Sequence, residues 1–496
     1  MAEYILSIDQ GTSSSRAILF DKNANIAAKA QQEFTQIYPQ NSWVEHDAEE
    51  IWHSILNVVS EAIKKAGITA ADIKSIGITN QRETTVVWNK ESGKPVYNAI
   101  VWQSRQTENI CRELKDKGFE KQVRSKTGLL IDSYFSGPKI SWILKNVKGA
   151  KKDAVDGKLS FGTIDTWLLW KLTGGKVHAT DYTNASRTMI FNIVEMNWDT
   201  ELLEALDIPE NMLPAVLESA GFFGETDCEI FGDARIPVNG IAGDQQSALF
   251  GHQCVEAGEV KNTYGTGCFM LMNVGPEPIF SENGLLTTVA CDAKGKPCYA
   301  LEGSVFVAGS AVQWLRDGLK IINDSAETEA MAEKLKSSDG VILVPAFVGL
   351  GTPYWNSDVR GAVFGLTRDT GREHFARATL ESIAFQSRDL LQTMEKDTGL
   401  DTTSLRVDGG ATANKFLMQF QANLLQIQIA LPKNPESTVL GAAFLAGLAS
   451  GFWSSNDLKK FSSQHIYIDC DINSADEMNN LYYQWQKAVN AAISFT

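Results

Sequence analysis

The stretch that decides the fold is LSIDQGTSSSRAILFD, residues 6–21. Two apolar runs flank a polar turn; the first ends on Asp9 and the second begins after Arg16. A tight hairpin needs only an Asn-Gly or Asp-Gly pair. This turn instead carries a carboxylate, a glycine, the four hydroxyl residues Thr12–Ser15 and a guanidinium. Gly11 lets the backbone approach a ligand closely. Thr12, Ser13 and Ser14 offer hydroxyl and main-chain donors, and Arg16 offers a fixed charge suited to phosphate. Asp9 is a hard oxygen ligand for Mg²⁺, reached through water. A plain polar hairpin is the competing reading of the stretch alone.

Working outward, residues 4–10 and 15–21 read as strands, with 86–89 as a third candidate. Residues 47–66 have helical periodicity, with Asp47 as N-cap and Gly67 as stop. SIGITN (75–80) is another strand, so the order favours an α/β sheet. The pattern then restarts: VKNTYGTGCFMLMNV (260–274) is again strand, glycine-and-hydroxyl turn, strand. A hairpin with a polar turn at Asp292–Lys296 follows, and then a helix near 309–320. Two domains are expected, 1–250 and 251–496, with the boundary near 245–258. Residues 452–496 read as a helical appendage after a polar connection.

Composition narrows the function classes. The 496 residues are 44% hydrophobic and 21% charged, which suits a packed core. A net charge of −15 argues against nonspecific nucleic-acid binding. It leaves room for a small anion held by clustered main-chain N–H groups. The seven cysteines show no C-x-x-C pair, which points to reduced cytoplasmic thiols rather than disulfides or zinc. The beginning of the sequence lacks the pattern of a signal peptide. The longest weakly polar run, residues 439–453, is short of a membrane span and reads as a buried helix rich in small residues.

Four further motifs carry chemistry. YGTGCF (264–269) suits a second phosphate contact through Thr266, although its G-x-G alone is weak. RVDGGATANKF (406–416) puts two glycines between a strand and a helix, a usual way to bring backbone against a nucleotide. In GDQQSA (243–248), Asp244 follows an apolar strand and can accept a proton from a hydroxyl. In TNQRETTVVW (79–88), Arg82 and Glu83 are adjacent. Side chains of neighbouring strand residues face opposite sides, so both reach one ligand only if the backbone is irregular there. Such a donor and acceptor suit a polyol; a surface ion pair is the bland alternative. The six histidines show no metal spacing, and among the tryptophans Trp102 is the candidate for lining a substrate.

Together these motifs resemble the FGGY family of sugar and polyol kinases, within the actin-like, ribonuclease H-like ATPases. Two family signatures stand in the sequence, YFSGPKISWILKN (134–146) and GAVFGLTRDTGREHFARATLE (361–381). Within the family the segments NAIVWQSRQT, GTIDTWLLWKLTGG, TDYTNASRTM, GIAGDQQSALFG and ENGLLTTVAC are similar to those of the glycerol-phosphorylating branch. The resemblance spans roughly residues 4–453. It implies two ribonuclease H-like domains with mixed central sheets flanked by helices, and an active site in the cleft between them. It also implies MgATP-dependent phosphorylation of glycerol to sn-glycerol 3-phosphate.

Site roles follow from the resemblance. Arg82, Glu83, Tyr134, Asp244 and Gln245 would bind glycerol, with Trp102 and Phe269 as apolar walls and Asp244 as general base. Thr12, Ser13, Ser14, Arg16 and Thr266 would meet the ATP phosphates, while Gly309, Gln313, Gly410 and Asn414 would hold the adenosine side. Asp9 would anchor Mg²⁺. A homodimer or homotetramer in the cytoplasm, without nucleic acid or membrane insertion, is expected. Some relatives are inhibited by fructose 1,6-bisphosphate at a loop corresponding to DCEIFGDARIP (227–237). Here Arg235 is accompanied by Glu229 and Asp233, so inhibition should be weak or absent. The loop has no histidine, so activation by phosphohistidine should also be weak or absent. The alternatives kept open are another FGGY polyol or ketopentose kinase and an actin-like ATPase without a small-molecule acceptor.

Overall fold

The structure, a computed structural model, describes residues 3–495. A six-stranded sheet contains β1 (Tyr4–Gln10), β2 (Ser14–Phe20), β3 (Ile26–Glu33), β4 (Ile73–Asn80), β5 (Ala220–Glu225) and β6 (Pro237–Gly243), in the order β3-β2-β1-β4-β6-β5. β1 runs antiparallel to β2 and parallel to β4, and β4 is parallel to β6. A seven-stranded sheet contains β7 (Val260–Tyr264), β8 (Cys268–Gly275), β9 (Leu286–Cys291), β10 (Pro297–Val305), β11 (Ser404–Asp408), β12 (Gln428–Pro432) and β13 (His465–Ile468), in the order β9-β10-β8-β7-β11-β12-β13. Apart from the extra edge strand β9, the second sheet repeats the first in spatial order and strand direction, although the far edge strand precedes its neighbour in the chain in the first sheet and follows it in the second. In both, an antiparallel trio is followed by two parallel strands and an antiparallel edge. The repeat visible in the sequence is therefore a repeat of topology. Residues 86–89 do form a strand, but it pairs with 159–162 outside the main sheets.

Strand alternation sorts the first sheet's faces. Leu6 and Ile8 pack with Ile51, Ile55 and Val58 of helix α1 (Ala48–Ala66). Local chemistry fixes the ends of that helix. The Asp47 carboxylate accepts from the Glu49 and Glu50 N–H groups, and Gly67 stops the helix at φ 66°.

On the opposite face, Ile5 packs with Val439, Ala443 and Phe444. These belong to a helix from the far end of the sequence, Ser437–Ala449. Its small residues allow near backbone contact. A methyl group on Gly77 of β4 would overlap the Ala442 carbonyl, and one on Gly441 would overlap that of Ser247. Between the two sheets lies α2 (Asp244–Gly251). Its Leu249 packs on the second sheet and its Phe250 on the first. In chain order, the remaining helices used below are α3 (Gly309–Asp317), α4 (Glu327–Glu333), α5 (Arg372–Thr398), α6 (Lys415–Leu425), α7 (Ser437–Ala449) and α8 (Ala475–Phe495).

The C-terminal reading needs correction. Residues 455–462 and 475–495 are helical, as the sequence reads, but the segment is built into the second sheet and its core rather than appended to it. The connection itself folds as a capped helix, Ser455–Ser462, and β13 extends the second sheet. α8 is a core element: Trp485 is fully buried, and its indole with the Tyr482 hydroxyl donates to the buried Asp389 carboxylate of α5 at 2.9 and 2.5 Å. The polar, Ser-rich connection hid its short helix because only Leu458 of that helix is buried. All seven cysteines are free, and among the described residues no helix is long and apolar enough to cross a membrane.

Candidate active site

The ends of β1, β4 and β6 deliver the first group of candidate residues. Asp9, one residue before the end of β1, lies on the face covered by α7. Its carboxylate pairs with Arg16, whose other nitrogen reaches Glu436, just before α7, at 2.8 Å. Burial pushes the Asp9 carboxyl up, Arg16 opposes that, and the nearby Asp244 charge adds to it. This modifies the expectation for the first turn. Arg16 is already shared by two carboxylates, so it is not a free phosphate ligand. Ser15 does not face the cleft either: it is buried and its hydroxyl bonds that of Ser54 in α1 at 2.7 Å. Thr12, Ser13 and Ser14 remain at least partly accessible, and the Thr12 hydroxyl accepts from the Trp102 indole at 3.0 Å.

Arg82 and Glu83 follow β4 and are both buried, so the surface-pair reading fails. The backbone is irregular where the sequence required it. Glu83 has φ +60°, and the Thr84 N–H closes a tight turn onto the Arg82 carbonyl at 2.7 Å. A non-glycine residue there costs about 1–3 kcal/mol and persists only when its surroundings hold it. The Thr85 and Ser136 hydroxyls hold the Glu83 carbonyl, each at 3.0 Å, and Arg187 Nε holds its carboxylate at 2.7 Å. Arg82 turns the other way, with Nε 3.0 Å from Asp244 Oδ1 and Nη1 2.5 Å from Glu302 Oε2.

Asp244 opens α2 directly after β6. Its Oδ1 also accepts from the Gln245 N–H at 2.7 Å, while Oδ2 has only the distant Gln245 amide at 3.4 Å. The side chain is one-third exposed, unlike its buried neighbours. One oxygen is thus anchored and the other is available. Gln245 accepts from Lys261 Nζ at 2.5 Å, and that ammonium also reaches Thr263 and the Phe269 carbonyl. Burial pushes Lys261 down to about 8. The Tyr134 ring stands 5.6 Å from Trp102 and 5.6 Å from the Arg187 guanidinium. Six of the residues expected around the acceptor join one network through their side chains, and Phe269 enters it through its main-chain carbonyl.

The second group lines a cavity of about 510 Å³ in the second half of the molecule, where Thr266, Gly309, Gln313, Gly410 and Asn414 all contribute. The β7–β8 turn is stapled to the start of α3 by the Gly309 N–H donating to Gly265 O and the Ser310 N–H to Thr266 O, at 3.0 and 3.1 Å. Asn414 is less free than expected. Its carbonyl oxygen caps α6 through the Leu417 N–H, and its amide donates to Thr328 of α4. Behind this cavity, the His252 imidazole at the end of α2 meets Asp408 at the end of β11 at 3.0 Å. α2 thus links Asp244 at its start to the end of β11, where Gly409 and Gly410 follow.

Four buried residues were missed from the sequence: Arg187, Gln246, Lys261 and Glu302. Lys261 and Glu302 are each the lone charge of their strand, and that isolation was the available signal. Among the described residues no cluster of three or more His, Cys, Asp or Glu could hold a metal.

Comparison with known proteins agrees with this geometry. Residues 4–251 match the N-terminal domain of the FGGY family of carbohydrate kinases, and residues 260–450 match its C-terminal domain. The chain belongs to the FGGY family of carbohydrate kinases. Among curated relatives, a glycerol kinase of Bacillus subtilis is 59% identical, with all of both chains covered. One of Listeria innocua is 58% identical over 99% of each. The crystal structure of Plasmodium falciparum glycerol kinase with ADP superposes with a TM-score of 0.93 at 38% identity, covering 99% of this chain and 98% of that one. A gluconate kinase from Lactobacillus acidophilus, 23% identical with a TM-score of 0.89, shares the fold.

Proposed function

We propose that the chain transfers the γ-phosphoryl group of ATP to glycerol, giving sn-glycerol 3-phosphate and ADP, in the cytoplasm where ATP is the donor. The observation that carries this is the convergence of Arg82, Glu83 and Asp244. The left-handed turn at Glu83 brings two oppositely charged side chains from adjacent positions into one buried cluster beside an available carboxylate oxygen. A polyol's hydroxyls both give and accept, so a paired guanidinium and carboxylate can fix its orientation. The full-length relatives named glycerol kinase support the same acceptor.

In this reading Arg82 and the Gln245 N–H hold Asp244 Oδ1, leaving Oδ2 to take the proton of the reacting hydroxyl. Trp102, Tyr134 and Phe269 wall the carbon backbone. Thr12, Ser13, Ser14 and Thr266 present donors to the phosphates. Gly309, Gln313, Gly410 and Asn414 line the adenosine side. Arg16 contributes charge only by exchanging a carboxylate for phosphate. Residues 1–250 carry most of the acceptor site and 251–496 the nucleotide cavity, and closing the cleft shuts out competing water.

Asp9, a hard oxygen donor beside Asp244, suits Mg²⁺. That ion keeps most of its waters and needs few carboxylates, in keeping with the absence of a larger acidic cluster among the described residues. When bound it would neutralise phosphate charge. Asp9→Asn is expected to raise the Mg²⁺ concentration needed for half-maximal rate by about tenfold, with glycerol KM little changed. An unaltered Mg²⁺ titration would remove Asp9 from this role.

A coupled assay with glycerol, xylulose and ribulose tests the acceptor. Turnover of glycerol is expected, and its absence alongside turnover of a ketopentose would overturn the reading. In the same assay millimolar fructose 1,6-bisphosphate should inhibit weakly or not at all, because Glu229 and Asp233 are exposed on the turn that carries Arg235. Strong inhibition would refute that part. The loop's lack of a histidine likewise supports weak or absent phosphohistidine activation.

A further inference from the structure

The segment TDYTNASRTM (180–189) contributes nothing to the proposed chemistry directly, yet it grips the strand ends that carry it. Asn184 exchanges two hydrogen bonds with Asn80, the last residue of β4 before the Gln81–Arg82–Glu83 turn, at 3.0 and 3.1 Å. The Gly243 N–H, immediately before Asp244, donates to the Thr183 hydroxyl at 2.9 Å. Arg187 Nε donates to Glu83 Oε1 at 2.7 Å, and its Nη2 donates to Glu302 Oε1 at 3.0 Å. Glu302, on β10 of the second sheet, also receives Arg82 Nη1 on Oε2 and Nη2 on Oε1 at 2.5 and 3.2 Å.

Five charges therefore alternate in sign along one chain of contacts: Asp244, Arg82, Glu302, Arg187, Glu83. The Arg187 and Glu302 side chains have no solvent exposure. Two like-charged guanidiniums buried side by side would repel and splay without the carboxylate between them. Glu302 is suited to that place: burial pushes its carboxyl up, but Arg187 and Arg82 outweigh burial and hold it at about 2.

We propose that Arg187 and Glu302 are positioning residues for the acceptor. Neither touches the substrate. Glu302 locks the two guanidiniums at a fixed spacing, and Arg187 holds Glu83 in its left-handed turn. Arg82 and Glu83, near opposite ends of that chain of charges, then meet a three-carbon polyol at a set separation. Because Glu302 comes from the second sheet, the acceptor site is completed from both halves of the molecule. The inference rests on the proposed glycerol reading and names what sets its geometry.

The test uses the full-length enzyme and the variants Glu302→Gln, Glu302→Asp and Arg187→Lys. Glycerol and ATP KM, kcat, and ATP hydrolysis without acceptor are measured for each, with circular dichroism as the check on folding. Failure of the parent to phosphorylate glycerol would defeat the functional reading; the variants address only the positioning. Losing one charge-assisted contact should raise glycerol KM by about 30-fold in Glu302→Gln and Arg187→Lys. Glu302→Asp, which keeps the charge, should recover part of that loss. ATP KM and acceptor-free hydrolysis should stay within about threefold of the parent. If both KM values rise together, if neither moves, or if none of the three variants folds, the cluster is a structural staple and the proposal falls.

Discussion

The two halves of the site are built by opposite means. Around the proposed acceptor site, charged side chains are buried and locked to one another, and almost every polar atom of Arg82, Glu83 and Glu302 has a protein partner. Around the cavity proposed for the nucleotide, apolar side chains such as Val312, Leu380, Ile383 and Leu417 share the lining with Gly265, Gly309 and Gly410, and Asn414 is engaged in capping α6. The contrast teaches where recognition must be strict. A small polyol offers three hydroxyls and little surface, so discrimination requires pre-set charges that a wrong acceptor would leave unpaired. A nucleotide brings a large surface and several phosphate charges, so shape and backbone donors suffice.

That comparison can be broken most severely at Asp244. Asp244→Asn should lower kcat about a thousandfold while Tm and ATP binding, measured calorimetrically, stay near the parent, as expected for loss of a general base. Near-normal turnover would remove the carboxylate from that role. A milder change sharpens the nucleotide side. A methyl group added at Gly410 meets no protein atom within 4 Å, so Gly410→Ala should fold normally and intrude only on a bound nucleotide. ATP KM is expected to rise about fivefold with glycerol KM unchanged; equal changes in both would show that the halves are not separable.

The smallest effect lies beneath the acceptor side. Asp165, bonded to Thr163, Thr180 and Asn80, is pushed up to about 7, chiefly by burial. A raised carboxyl favours the protonated folded state, so its contribution is full below about pH 4 and is lost as pH rises towards 7. An amide at this position cannot titrate. The Tm of Asp165→Asn should therefore gain on the parent by a few degrees between pH 4 and pH 7.5, and a constant difference across that range would contradict the assignment.

The fold was legible where period and punctuation agreed. The strands of the two phosphate-type turns, helix α1 with its Asp47 and Gly67 ends, and the small-residue helix at 437–449 all lie close to where the sequence places them. Arg82 and Glu83 were legible as a contradiction, two adjacent side chains needing an irregular backbone, and Glu83 supplies it. What stayed hidden depends on contacts between distant segments. Ser15 looks like its hydroxyl neighbours, and only strand alternation against α1 turns it inward. Arg16 reads as a free charge until Glu436, 420 positions away, arrives beside it. Glu302 and Lys261 show as the lone charges of their strands, but nothing local says which partners neutralise them.

Helix α7 has a consequence for how the molecule is made. The last strand of the first sheet is complete at Gly243, yet the helix covering one of its faces ends at Ala449. About two hundred residues separate them, and at roughly 5–20 residues per second the ribosome takes about 10–40 seconds to deliver the cover. During that interval Ile5, Ile18, Phe20 and Ala242 have no α7 to pack against. The first half of the chain must wait with an unfinished face, and a fragment ending before residue 437 would keep that sticky surface for good. Nascent-chain chaperones should hold this protein longest just before α7 emerges.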